Sequence, residues 1–138
     1  MLENCIFCRI VKGDVPSSVI FENDQVFAFL DIHPFSQGHC LVIPKQHFAR
    51  FEDCPPDVLA ALAQALAKIA PLVVQTVQAQ GYILLVNTGR AAGQVVEHAH
   101  LHIIPRCQGD HLIQHSPTIQ YPPSRMEEIS NHIRELLH

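Results

Sequence analysis

EHAHLHIIPR, residues 97–106, sets histidines at every second position and follows them with two apolar residues, a proline and an arginine. Alternate residues of a β-strand share a face and lie roughly 7 Å apart, so a strand here aims His98, His100 and His102 the same way. Ala99, Leu101 and Ile103 then point the other way, into a core. A helix would scatter the three rings around its axis. One polar face of three imidazoles suits a metal, a phosphate, a nucleophile with its helpers, or merely water.

Working outward, short β-rich runs surround this segment. SVIFEN (18–23) and QVFAFLDI (25–32) flank the turn residues Asn23 and Asp24 as a hairpin, and HCLVIP (39–44) is a third strand closed by Pro44. YILLVN (82–87) is a fourth, and the histidine strand ends at Pro105. Between them, Leu59, Leu62, Leu66, Ile69, Val73 and Val77 recur at helical spacing over residues 55–80, with Pro55 and Pro56 in the first turn. Pro71 lies inside and is expected to kink or divide that helix. Residues 5–13 read as a short helix or turn ended by Gly13, and residues 124–137 as an amphipathic helix packing Met126, Ile129, Ile133 and Leu136 or Leu137. About five antiparallel strands with one main helix and a C-terminal helix make an α+β domain, taken as one unit over 1–138.

The chain has 138 residues, 48% of them hydrophobic, enough for a core without disulfides. A formal net charge of −4 removes the general basic field by which proteins grip nucleic acid, so no nucleic-acid partner is expected, though a single nucleotide fits. No apolar run approaches ~18 residues and no leader pattern opens the chain, so neither a membrane span nor export is expected. The five cysteines are odd in number and suit a reducing cytoplasm. Cys40, Cys54 and Cys107 read as small packing residues, and His111, His115, His132 and His138 as surface ones.

Two further motifs carry chemistry. NTGRAAGQ (87–94) contains Gly89 and Gly93, which let backbone amides approach an anion closely. Cys5-Ile-Phe-Cys8 has the two-residue gap that allows two thiolates to share a tetrahedral metal, though a reduced, metal-free pair of buried thiols reads equally from the spacing.

His98-Ala-His-Leu-His-Ile-Ile104 resembles the signature of the histidine triad (HIT) family, in which three histidines alternate with apolar residues. Asp31-Ile-His-Pro34, Gly38 through His47, Ala92-Gly-Gln94 and Pro105-Arg106 extend the likeness over about residues 5–106, most closely to its Hint-like branch of nucleotide hydrolases and transferases. The resemblance implies a HIT-like fold in which His100 attacks the α-phosphorus of a purine nucleotide conjugate, such as a phosphoramidate or dinucleoside polyphosphate. A nucleotidyl-histidine then forms and water cleaves it. It also implies that His102, His39 and Asn87 steady the phosphate with the Gln94–Val95 stretch of the loop. Asp31 then takes the ribose hydroxyls, and Ile6, Phe7, Phe29 and Ile32 wall the base.

In metal-binding relatives a similar CxxC is completed by a histidine after the IPK segment and by the first triad histidine. The matching positions here are Cys5, Cys8, His47 and His98, a closed Cys₂His₂ set that implies a structural zinc. Family members commonly pair as two-fold dimers, so a homodimer is implied, and residues 107–138 lie outside the strongest likeness as a C-terminal extension. One position departs. Many relatives have Ser or Thr where this chain has Val95, which implies altered activity, or a module that binds a nucleotide or a partner with little turnover.

Overall fold

The computed structural model describes residues 2–112 and 117–137, so His115 and His138 lie outside the described residues. The strands β1 (Val19–Glu22), β2 (Val26–Leu30), β3 (Cys40–Pro44), β4 (Gly81–Leu85) and β5 (Leu101–Arg106) form one antiparallel sheet in the order β1-β2-β3-β5-β4. Helix α1 (Ile6–Lys12) precedes β1, α2 (Pro56–Val77) joins β3 to β4, and α3 (Arg125–Leu137) follows β5. The α+β arrangement expected from the sequence is the one observed.

The central strands are covered on both faces. Val26 and Ala28 of β2, Cys40 and Val42 of β3, and Leu101 and Ile103 of β5 pack with Leu62, Leu66 and Ile69 of α2. The intervening residues Phe27, Phe29, Leu41 and Ile43 pack with Phe7, Cys8 and Ile10 of α1 on the opposite face. Burial on two faces explains why β2 and β3 read as unbroken apolar runs rather than alternating ones. Leu41 pairs with His102 across β3 and β5, so the pleat that buries Leu41 against α1 also carries His102 onto that face.

Four expectations need correction. β5 begins at Leu101, so His98 and His100 precede the strand instead of lying in it. Continued register would set Ala99 opposite Pro44, which has no N–H for the ladder, and the Ala99 N–H goes instead to the Phe48 carbonyl at 2.6 Å. Pro71 does not divide α2, which runs unbroken through it. Pro71 and Ala67 are both exposed, so water reaches the carbonyl that the proline leaves without a donor. α3 forms where expected but buries none of its residues, and Met126, Ile133, Leu136 and Leu137 are exposed. Cys107 is exposed too, whereas Cys40 and Cys54 are core residues.

α2 is also long and apolar enough to cross a membrane by length and composition, although Asp57, Gln64, Lys68 and Gln75 interrupt its apolar residues. Its Val58–Ala70 stripe is the floor of the core, the position of a central helix. The turn into β3 is fixed by Gly38, whose φ is +87°, and a Cβ there would lie 2.9 Å from Val77, 3.0 Å from Val73 and 3.3 Å from Pro105. Gly38→Ala should therefore lower stability by about 2–4 kcal/mol through left-handed strain plus overpacking, read as a shift in the urea midpoint.

Candidate functional site

A cavity of about 630 Å³ opens on the α1 face of the sheet. Ile6 and Phe7 of α1, Phe29 of β2 and the exposed Ile32 form its apolar wall, with Asp31 beside them. His39, His100 and His102 line the opposite part with Asn87 and Val95. Phe7 and Phe29 are buried core residues that also present an edge to the cavity, so ordinary core and pocket wall are here the same side chains.

Backbone hydrogen bonds fix where each imidazole keeps its proton. His100 Nδ1 lies 2.6 Å from the His98 carbonyl, an acceptor only, so Nδ1 carries the hydrogen and Nε2 keeps a free lone pair. His39 Nδ1 accepts the Phe35 N–H at 3.0 Å, which places the His39 proton on Nε2. That Nε2–H donates to His102 Nδ1 at 2.9 Å, so His102 carries its own proton on Nε2 as a remaining donor. One ring thus offers a nucleophilic nitrogen and its neighbour an N–H, with ring centroids 5.2 Å apart. Asp31 approaches His39 Nε2 at 3.6 Å.

Burial keeps these rings neutral. It lowers the His102 pKa to about 4, helped by the neighbouring His100 and His39 and opposed by Asp31. It also lowers His100 against the pull of the His98 carbonyl and Asp31, and lowers His39 against Asp31. Asp31, His39 and His102 converge closely enough to suggest a cation site. A metal on His39 Nε2 would have to strip the proton that the Phe35 contact requires there, so the cluster suits a proton better than an ion.

The loop behaves unevenly. Asn87 lines the cavity while its Nδ2 donates to the Ala92 carbonyl at 2.6 Å. Gln94 does not line it: its side chain accepts from Gly89 N–H and donates to the Ala49 and Val96 carbonyls, bracing the loop from behind. Val95 is 90% exposed at the rim. Phe35 was not foreseen as part of the site, although it stacks on His39 at 5.5 Å and orients that ring through its N–H. Nor was the Pro44 carbonyl, and a backbone donor or acceptor leaves no mark on sequence.

Cys5, Cys8, His47 and His98 meet at the start of α1, their ligand atoms all within 4.8 Å of one another. His98 Nε2 donates to the Pro44 carbonyl at 2.8 Å, which leaves Nδ1 as a lone pair aimed at Cys5 Sγ, 3.5 Å away, and Cys8 Sγ, 3.6 Å away. His47 Nδ1 is 3.4 Å from Cys8 Sγ. Zinc bonds of about 2.3 Å to sulfur and about 2.05 Å to nitrogen at tetrahedral angles give S···N edges of about 3.6 Å. The four side chains therefore fit a closed tetrahedral ion. Burial pushes the Cys5 thiol up, so binding such an ion must release protons.

An antiparallel sheet carrying this histidine arrangement defines a class, and comparison supports it. The HIT domain family model matches residues 12–109, and the chain belongs to that family. It is 39% identical over 107 residues to the adenosine 5′-monophosphoramidase of Candida albicans, covering 75% of this chain and 70% of that one. Among solved structures, a Streptococcus mutans protein superposes with a TM-score of 0.93 at 34% identity, covering 100% of this chain and 88% of that one. A zinc-bound histidine triad family protein from Mycobacterium smegmatis gives 0.75 at 40% identity, covering 90% and 86%.

Ring ¹⁵N shifts should show His100 protonated at Nδ1 and His39 and His102 at Nε2, with His102 neutral down to about pH 4. The folded His102 binds a proton less readily than the unfolded one at its ordinary 6.5, so its contribution to stability is complete above about pH 6.5 and lost as pH falls towards 4. Urea midpoints at pH 7 and 5 should fall in that order.

Proposed function

We propose that this protein is a nucleotide hydrolase that cleaves a nucleotide conjugate at its α-phosphorus through His100. The observation that carries the reading is the 2.6 Å contact from His100 Nδ1 to the His98 carbonyl, which leaves Nε2 unprotonated beside an apolar cavity. The phosphoramidase activity named for the Candida relative makes an adenosine 5′-phosphoramidate the first substrate to try. Dinucleoside polyphosphates are the second class.

In the first step His100 Nε2 bonds to phosphorus while the P–N bond breaks, and the departing amine takes that electron pair and a proton from solvent water. In the second, a water oxygen bonds to phosphorus, the P–Nε2 bond breaks, and the water proton returns to solvent. His102 Nε2–H, held by His39, donates to the phosphoryl oxygens, where charge gathers in the transition state. Asn87 and the amides of the Gln94–Val95 stretch assist, with Gln94 acting through its backbone and its brace on the loop. Asp31 receives the ribose hydroxyls, and Ile6, Phe7, Phe29 and Ile32 enclose the base.

Cys5, Cys8, His47 and His98 would hold zinc, which, when bound, anchors the chain N-terminal to α1 on the segment carrying the nucleophile. β4 leaves one sheet edge unpaired and exposes Tyr82, Leu84 and Val86 there, which supports the homodimer, and the five unpaired thiols support a cytoplasmic location. A second reading, a binding module with little turnover, is favoured by Val95 alone, whose side chain offers no hydroxyl at the rim.

His100→Ala should reduce adenosine 5′-phosphoramidate hydrolysis by roughly 10³-fold or more while retaining AMP binding. His98→Ala should lower zinc content and the urea midpoint together. AMP binding with no turnover of either substrate class by the unaltered protein would instead support the binding module.

A further inference from the structure

A second cavity, of about 340 Å³, adjoins the one that His100 lines, and Ile6, Val95 and Val96 line both. Beyond that shared rim it is lined by Leu2, Asn4 and Glu97. Cys5 and His47, two of the four residues whose donor atoms suit a metal, line it as well.

Among the described residues, the carboxylates that line the two cavities, Asp31 in the first and Glu97 in the second, have no lysine or arginine beside them in the lining. Arg50 reaches towards the loop near Gly89, but Glu52 engages its guanidinium at 3.1 Å. Of the hydrogen-bonded His39–His102 pair in the first cavity, His102 offers one N–H and the Nε2–H of His39 is already given to it, while the exposed His33 lines that cavity and His47 lines the second. With Asn87 and the loop amides, that supply suits one phosphoryl group. A polyphosphate or another polyanion would bring further charge to walls whose charged side chains are the Asp31 and Glu97 carboxylates.

The path of the reaction then decides what the second cavity receives. On the reading above, on which this inference rests, the nucleoside extends towards Asp31 and Ile32 and His100 attacks from the buried floor. The leaving group, opposite the attacking nitrogen, departs over Val95. We propose that the second cavity is the leaving-group subsite, that Glu97 determines its specificity, and that the group it accepts is an aliphatic amine bearing an additional positive charge. Leu2, Ile6 and Val95 are exposed apolar surface for the methylenes of such a chain. Asn4 and the Glu97 carboxylate accept N–H donors at its far end. The Val95 side chain contributes as well, since an aliphatic rim passes methylenes and itself has no hydrogen bond to give an anion.

The test uses three adenosine 5′-phosphoramidates of near-equal length, with 1,3-diaminopropane, n-butylamine and β-alanine as the leaving amines. Their kcat/KM values are measured for the wild-type protein, Glu97→Gln and Glu97→Lys. Each is divided by the same protein's value on unsubstituted adenosine 5′-phosphoramidate, which has no chain to occupy the second cavity. Circular dichroism and zinc content verify each variant, because Glu97 adjoins His98. Attraction and repulsion at a partly solvated carboxylate predict a wild-type order of cation, neutral, anion, with a cation-to-anion ratio of roughly three- to thirtyfold. Glu97→Gln should bring the ratio close to one and Glu97→Lys should reverse it, and the wild-type ratio should shrink in high salt.

The proposal is overturned by turnover of all three substrates with a ratio that is the same in the three proteins, or by a wild-type preference for the anion. Should Glu97→Lys fail to fold, the wild type and Glu97→Gln still decide it. Absence of wild-type turnover on the unsubstituted phosphoramidate would overturn the His100 reading itself, and the subsite with it.

Discussion

The carbonyl oxygen of His98 is the acceptor on which the site's chemistry depends. Its 2.6 Å contact fixes the His100 proton on Nδ1, while the ring of the same residue donates to Pro44 and turns its other nitrogen towards two thiols. One residue therefore works in two directions, main chain towards His100 and the cavity it lines, side chain towards the cysteine cluster. Had the ladder continued, Ala99 would have faced Pro44, which has no N–H to give it; the Ala99 N–H goes to the Phe48 carbonyl instead.

The second line of organisation is a chain of donors with one polarity. Phe35 N–H sets His39, His39 sets His102, and His102 is left with a hydrogen facing the cavity. Burial disfavours the charged form of His39 and His102, so this part of the cavity presents directed N–H groups and not fixed cations. The Asp31 carboxylate beside His39 opposes the burial effect without cancelling it. Neutral donors tolerate apolar walls better than a guanidinium would, which is consistent with Phe7 standing edge-on at 5.1 Å from His100.

Much of this was legible in the sequence, and the reasons differ by element. The period of two in EHAHLHIIPR correctly sent Ala99, Leu101 and Ile103 into the core, because side-chain direction persists through extended backbone even where the ladder is absent. It could not show where the ladder begins, since that turned on a proline 54 positions earlier. The α2 periodicity was plain, but the effect of Pro71 depended on whether its side faced water. α3 has an amphipathic pattern, and pattern alone cannot say that none of the described residues buries its apolar face. Gln94 was legible as part of a conspicuous loop, yet its direction away from the cavity depended on the Ala49 carbonyl, distant in sequence.

Burial of the central strands on both faces has a consequence for how this chain can change. In a sheet with one wet face, every second residue is a free position where mutations accumulate unnoticed. β2 has Val26 through Phe29 buried in succession and β3 has all five of its residues buried, so neither offers such a reserve. Neutral drift is thereby displaced to the exposed helix faces and to the loops, and the rim of the cavity lies among those loops. The architecture that resists variation in its centre leaves the lip of the pocket, where Val95 stands, comparatively free to diversify.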